Sequence, residues 1–265
     1  MSYLDIPCAR LYYEVDGEGP PVLLVHAGVA HLRMWDEQIA AWRDRYTVMR
    51  YDQRGFGKTT CQDRPFSNRD DIRRLLDHLG VERASVVGLS RGGQIATDFT
   101  LEEPDRVKAL VAVASGLGGH QMPDDGVDWQ EIERLENSKQ WEELVERETQ
   151  IWTDGIGQPT TRVAPEVRRK MVEWNLDNYL AEQPASQAQP LIPAAADRLG
   201  EIDVPTLVMW GTLDTAGVIS ACQRIAAQVP GAQLHVFDGV AHMVNLERAV
   251  EFNQIVGDFL AQATG

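Results

Sequence analysis

No run of apolar residues in this 265-residue chain approaches the roughly 18 that a membrane-spanning helix needs. The opening MSYLDIPCARLYYEV has no basic segment followed by an apolar stretch, so no secretory signal is expected. Cysteine is scarce. Cys8, Cys61 and Cys222 are odd in number and far apart, which fits neither a disulfide framework nor a metal knuckle and points to a reducing cytoplasm. Positive charge is also short: the formal net charge is −15, so there is no basic face for nucleic acid. Internal repeats and low-complexity tracts are missing too. What remains, 43% hydrophobic and 25% charged, is the composition of a soluble globular protein with a large core.

Short apolar runs alternate with helical patterns. Residues 10–16 read as an early strand, PVLLVH (21–26) as a strand buried on both faces, and YTVMRY (46–51) as another. Trp35, Ile39 and Trp42 mark one helix. Ile72, Leu75, Leu76 and Leu79 mark a second that stops at Gly80. ASVVG is a strand, Gln94 to Glu102 a helix, and VKALVAVAS (107–115) a strand. After a long break the strands resume at VPTLVMWG (204–211), followed by a helix through Ile225, the strand AQLHVFD, and a last helix from about Leu246 to Ala263. This alternation predicts an α/β fold: a mostly parallel central sheet with helices on both faces. The break carries helical spacings instead. Trp129, Ile132 and Leu135 share a face, as do Val167, Met171 and Trp174, while Trp141, Leu144, Val145 and Trp152 fit further turns. Residues 183–193 read as a loop. The expected organisation is a core of residues 1–116 and 201–265 with a helical cap inserted at 117–200.

In an open parallel sheet, ligands bind beyond the carboxyl ends of the strands. Three reactive residues lie there. Ser90 sits in VVGLSRGGQ, where the spacing Gly-x-Ser-x-Gly predicts a tight strand-to-helix turn that holds the hydroxyl clear of the backbone. Asp214 follows a strand in MWGTLD, and His242 follows the last strand in HVFDGVAHM. A hydroxyl becomes a nucleophile when an imidazole takes its proton, and a carboxylate holds that imidazole in one tautomer. Asp238 is the rival acid. The strand after the Ser90 helix ends in ASGLGG, without a carboxylate, which favours Asp214. Asp52, Arg54 and Gly55 in DQRGFGK read as turn architecture, since the loop lacks phosphate-loop spacing. The Arg91 side chain reads as a structural ion-pair partner rather than a substrate anchor.

The stretches LLVHAGVAHLRMW, YDQRGFGKT, VVGLSRGG, MWGTLD and GVAHMVNLER, in that order, resemble the α/β-hydrolase fold superfamily, nearest to cofactor-free serine esterases and lactonases of the 3-oxoadipate enol-lactonase-like group. The resemblance implies catalysis by Ser90, Asp214 and His242, no cofactor and no metal. It implies an oxyanion hole from the backbone N–H groups of Arg91 and Gly28. Many relatives have His-Gly where this chain has His26-Ala27-Gly28, a departure at that loop. The expected substrate is a small carboxylic ester or lactone, acyl-homoserine lactones included, cleaved through an acyl-serine. The alternatives are a receptor-like protein with little turnover and a haloperoxidase or perhydrolase. Dehalogenase and epoxide hydrolase readings are disfavoured because those enzymes resemble this fold with aspartate at the Ser90 position. Trp129, Trp141, Trp152 and Trp174 are candidates to line the substrate pocket. Between Leu117 and Gly200 there are 16 acidic and eight basic residues, which makes a dicarboxylate a less natural ligand than a neutral one.

Overall fold

The computed structural model describes residues 2–181, 184 and 187–264. The chain opens with an antiparallel hairpin, β1 (Ser2–Ile6) and β2 (Ala9–Asp16), then enters the sheet interior at β3 (Pro21–Val25). After α1 (Asp36–Trp42) come β4 (Thr47–Tyr51), a two-residue β5 (Thr60–Cys61) paired to β2, and α2 (Asn68–His78). β6 (Ala84–Leu89), α3 (Arg91–Glu102) and β7 (Val107–Val113) form the central crossover. Beyond them lie α4 (Trp129–Asn137), α5 (Trp141–Thr149) and α6 (Pro165–Leu180). The chain then returns to the sheet through β8 (Thr206–Gly211), α7 (Ala216–Gln228), β9 (Gln233–Phe237), α8 (Val244–Glu247) and α9 (Ala249–Thr264).

Among the described residues the strands form one sheet of order β1-β2-β4-β3-β6-β7-β8-β9, with β5 beside β2. From β4 to β9 every pairing is parallel. Every residue of β6 and β8 is buried, which is why these strands are continuous apolar runs rather than alternating ones. α1 packs on α9 and α2 on α3, so helices cover both faces, and Trp35, Trp42 and Phe252 join the central apolar cluster. Local chemistry sets the helix ends. The Ser67 hydroxyl accepts the Asp70 N–H at the start of α2, with Asp70 and Asp71 in its first turn, and Gly80 takes a positive φ of 67° after its end. Thr215 caps α7 by accepting the Val218 N–H.

Several elements differ from the sequence reading. β1 and β5 went unread, because one is a short half-exposed edge and the other is two residues long. α3 starts at Arg91 rather than Gln94, because the turn at Ser90 hands the chain straight to the helix. Trp152 lies not in α5 but in a π-helical turn, Gln150–Asp154. The final helix breaks at Arg248, where ψ is 44°. Of the loop expected at 183–193, residues 183, 185 and 186 lie outside the described residues. Its remainder is irregular apart from a bridge between Ala188 and Phe66. None of the three cysteines forms a disulfide, and among the described residues no helix is long and apolar enough to cross a membrane.

Candidate active site

Ser90 ends β6 with φ 60° and ψ −120°, a conformation that costs a non-glycine residue on the order of 1–3 kcal/mol. Three backbone bonds hold it there: Ser90 N–H donates to Val113 O (2.9 Å), and Ser90 O accepts from the N–H groups of Gln94 (3.0 Å) and Gly116 (3.1 Å). The glycines around it are required by space. A Cβ on Gly88 would lie 2.1 Å from Gly92 O, and one on Gly92 would lie 2.1 Å from Val25 O. Both obstacles are backbone, so neither can swing aside. Gly88→Ala is therefore expected to push α3 off β6 and cost about 3 kcal/mol or more of stability, read by denaturant unfolding. A variant within 0.5 kcal/mol of the parent would show that the turn has room.

In the loops after β8 and β9, His242 Nδ1 lies 2.7 Å from Asp214 Oδ2, with both residues buried. Asp214 Oδ1 accepts the Thr215 N–H at 2.7 Å, so neither carboxylate oxygen is idle. With the Nδ1 proton directed at the carboxylate, Nε2 is left with a lone pair. The loops carrying the two residues are joined main chain to main chain: Thr212 N–H donates to Phe237 O and Leu213 N–H to Val240 O, both at 2.9 Å. A Cβ on Gly211 would meet Val240 O at 2.1 Å. Asp238 instead accepts from the Thr212 hydroxyl at 3.2 Å. Among the described residues, Asp214 is the carboxylate within hydrogen-bond reach of His242.

Gly28 lies against Arg91: a Cβ there would be 3.5 Å from Arg91 Cδ. Arg91 opens α3, so its N–H has no intrahelical partner. Ala27 N–H faces Met34 Sδ at 3.2 Å, which commits the amide at the departing position to the interior. The preceding His26 is fully buried, and burial pushes it down to about 3. The neutral ring donates from Nδ1 to Ala27 O (2.7 Å) and accepts the Gln53 N–H at Nε2 (2.9 Å), while Gln53 Nε2 donates to His26 O (2.6 Å). Sequence reasoning missed this brace, which ties the 26–28 loop to the 52–58 loop.

The 52–58 loop is turn architecture, as its residues suggested. Asp52 accepts from the N–H groups of Leu32 and Lys58, both at 2.8 Å, and Arg54 makes two 2.7 Å bonds to buried Asp71. The ion pair expected of Arg91 is not formed. Among the described residues no carboxylate lies within 4 Å of its guanidinium. Nε donates to Gln53 Oε1 (3.0 Å), the head lies 5.5 Å from the Phe56 ring, and burial lowers its pKa. The loop facing Arg91 offers an amide and a ring where an acid was anticipated.

Residues 22–255 match the alpha/beta hydrolase family. The chain belongs to that family. It is a hydrolase. It is 32% identical to a 2-hydroxy-6-oxononadienedioate/2-hydroxy-6-oxononatrienedioate hydrolase of Paraburkholderia phymatum, covering 96% of this chain and 91% of that one. It is 30% identical to a 2-hydroxy-6-oxo-6-phenylhexa-2,4-dienoate hydrolase of Comamonas testosteroni, covering 99% and 95%. In structure it resembles an enol-lactonase of Burkholderia xenovorans (TM-score 0.81, 24% identity, 98% and 100% coverage), a likeness of fold.

The hydrolase places the four tryptophans of the α4–α6 segment differently. The Trp152 ring centroid is 4.7 Å from that of His242, and Trp129 meets Trp152 at 5.9 Å. Trp141 stacks on Tyr179 at 5.0 Å, within the segment. Trp174 lies edge-on to His31 at 5.6 Å and lines a separate cavity of about 370 Å³ with Tyr12, Lys58 and Asp177. Helical spacing suggested that these rings form a buried face; instead Trp129 is 45% exposed and the other three are half-buried, and the spacing carried no signal for which of them reaches His242.

Proposed function

We propose that the hydrolase cleaves a carboxylic ester or lactone through an acyl-enzyme on Ser90. The observation that carries the reading is the buried 2.7 Å contact of Asp214 with His242, in the loops after β8 and β9, at the same end of the parallel strands as a serine held at φ 60° after β6. His242 Nε2 takes the Ser90 proton as Oγ attacks the carbonyl carbon. The tetrahedral oxyanion is received by the N–H groups of Gly28 and Arg91, each worth about 3 kcal/mol in the transition state. Asp214 stabilises the imidazolium. The leaving alkoxide takes the proton back from His242, and a water activated by the same nitrogen releases the acid.

In this reading residues 117–200 are a cap that sets substrate choice, resident in a reducing cytoplasm. Arginines of that segment are already committed, Arg162 to Glu247 at 2.6 Å, Arg198 to Glu201 at 2.7 Å, and Arg168 to Glu146 (2.6 Å) and Asp154 (3.1 Å) within the segment itself. That favours an uncharged substrate. A second reading, hydrolysis of a 2-hydroxy-6-oxo dienoate, rests on the names of the relatives and on the guanidinium of Arg91, which among the described residues has no carboxylate partner. Steady-state rates on p-nitrophenyl esters and lactones of graded chain length, run beside a 2-hydroxy-6-oxo dienoate, separate the two. Turnover of the dienoate alone would reject the first reading.

Trp152 is the aromatic of the segment against the candidate base. Trp152→Ala is expected to shift the ratio of kcat/KM between short and long acyl esters by about 1–3 kcal/mol in favour of the longer chain. An unchanged rank order in the folded variant would move specificity to the loops at Gly28, Arg91 and Asp214.

A further inference from the structure

One amide joins the α4–α6 segment to both loops beneath it. Asn178, on α6, donates from Nδ2 to Ala30 O at 3.1 Å, and its Oδ1 accepts the Gly57 N–H at 3.0 Å. Ala30 lies two residues beyond Gly28, and Ala30 N–H donates back to Ala27 O at 3.3 Å, closing the turn that contains Gly28. Gly57 belongs to the 52–58 loop, whose Gln53 holds both His26 and the Arg91 side chain. The same face of α6 carries Met171, seven residues earlier, into the central apolar cluster, so the helix is held by packing at its middle as well as by Asn178 near its end.

We propose that Asn178 is a positioning residue that fixes the Gly28 N–H through Ala30 and thereby couples the seating of α6 to the oxyanion site. This rests on the acyl-serine reading above. The physical case is one of tolerance. An oxyanion donor works only at about 2.7–3.1 Å from where the oxygen will be, and a displacement near 1 Å costs about a hundredfold in rate. On its sheet side the 26–30 turn is braced by His26 and Gln53. On its outer side the Ala30 carbonyl is held by Asn178. An amide is suited to this place because it donates to one loop and accepts from the other; neither a carboxylate nor a hydrocarbon does both.

The test compares Asn178→Ala and Asn178→Asp with the parent enzyme. The aspartate keeps the acceptor for Gly57 N–H and loses the donor to Ala30 O. The readouts are melting temperature, kcat and KM on a p-nitrophenyl ester, and inhibition by an alkyl boronic acid, which adds to Ser90 Oγ and places an oxygen in the oxyanion site. Both variants are expected to lose ten- to hundredfold in kcat with KM within about threefold, and boronic acid affinity is expected to fall by the same factor as kcat/KM. A merely structural role would lower the melting temperature and leave kcat and boronate affinity of the folded enzyme intact; that outcome overturns the proposal. If Asn178→Ala does not fold, Asn178→Asp alone decides, since it preserves one of the two bonds. Failure of the parent enzyme to hydrolyse any ester or lactone and to bind the boronate would sink the acyl-serine reading itself, and the role of Asn178 with it. Parent activity with unaffected variants sinks the role of Asn178 alone.

Discussion

Ser90→Ala is expected to lower kcat/KM by about 10⁶-fold while leaving the melting temperature unchanged within a degree or two. The reason for the first part is chemical: with no Oγ there is no atom to carry the acyl group. The reason for the second is that the bonds holding residue 90 are made by its main chain, to Val113, Gln94 and Gly116, and alanine keeps them all. Alanine also tolerates φ 60° no worse than serine does, so the strain at the turn is the same in both proteins. The check is steady-state hydrolysis of the best ester or lactone found for the parent, with unfolding followed in parallel. A folded alanine variant that keeps even a tenth of the activity would mean that Ser90 is not the nucleophile.

Asp214→Asn should reduce kcat by about 10⁴-fold with little change in KM. The orientation of the new amide is fixed in advance. Thr215 N–H donates to Oδ1, so an asparagine keeps its oxygen there and presents its NH₂ to the imidazole. A donor facing Nδ1 forces the ring proton onto Nε2, the nitrogen that has to accept from Ser90. Asp238→Asn is the control; its carboxylate bonds the Thr212 hydroxyl, and activity should stay within twofold of the parent. If the Asp238 variant is the one that collapses, the acid has been assigned to the wrong strand end.

The parallel strands were legible because burial on both faces removes polar positions, as in Val86–Val87 and Val208–Met209. The edges were not. β1 alternates between half-buried and exposed over five residues and has no distinctive composition. Ser90, Asp214 and His242 could be singled out because each lies within five residues after a strand, so position in the chain stood in for position in space. Nothing local marks His26–Gln53 or Asn178–Ala30, whose partners are 27 and 148 residues apart. The environment of Arg91 was misjudged for the same reason: its neighbours come from the 52–56 loop, and charge pattern along the chain does not reveal them. The π-helical turn at Gln150–Asp154 disturbs helical phase just where Trp152 turns toward His242, so periodicity could group the tryptophans but not aim them.

If His242 and Asp214 act as proposed, the close approach of Gly211 to the carbonyls of Val240 and Ala241 bears on the timing of catalysis. Side chains that must find one another after substrate enters lose rotamer freedom at that moment, and the surrounding dipoles must turn to meet the new charge. The loops bearing Asp214 and His242 are locked peptide to peptide, with the imidazole and carboxylate buried between them. Their mutual distance is settled when the chain folds. Under the acyl-serine reading, the carboxylate is then already in place as positive charge develops on the ring, and these two groups leave little reorganisation for the transition state.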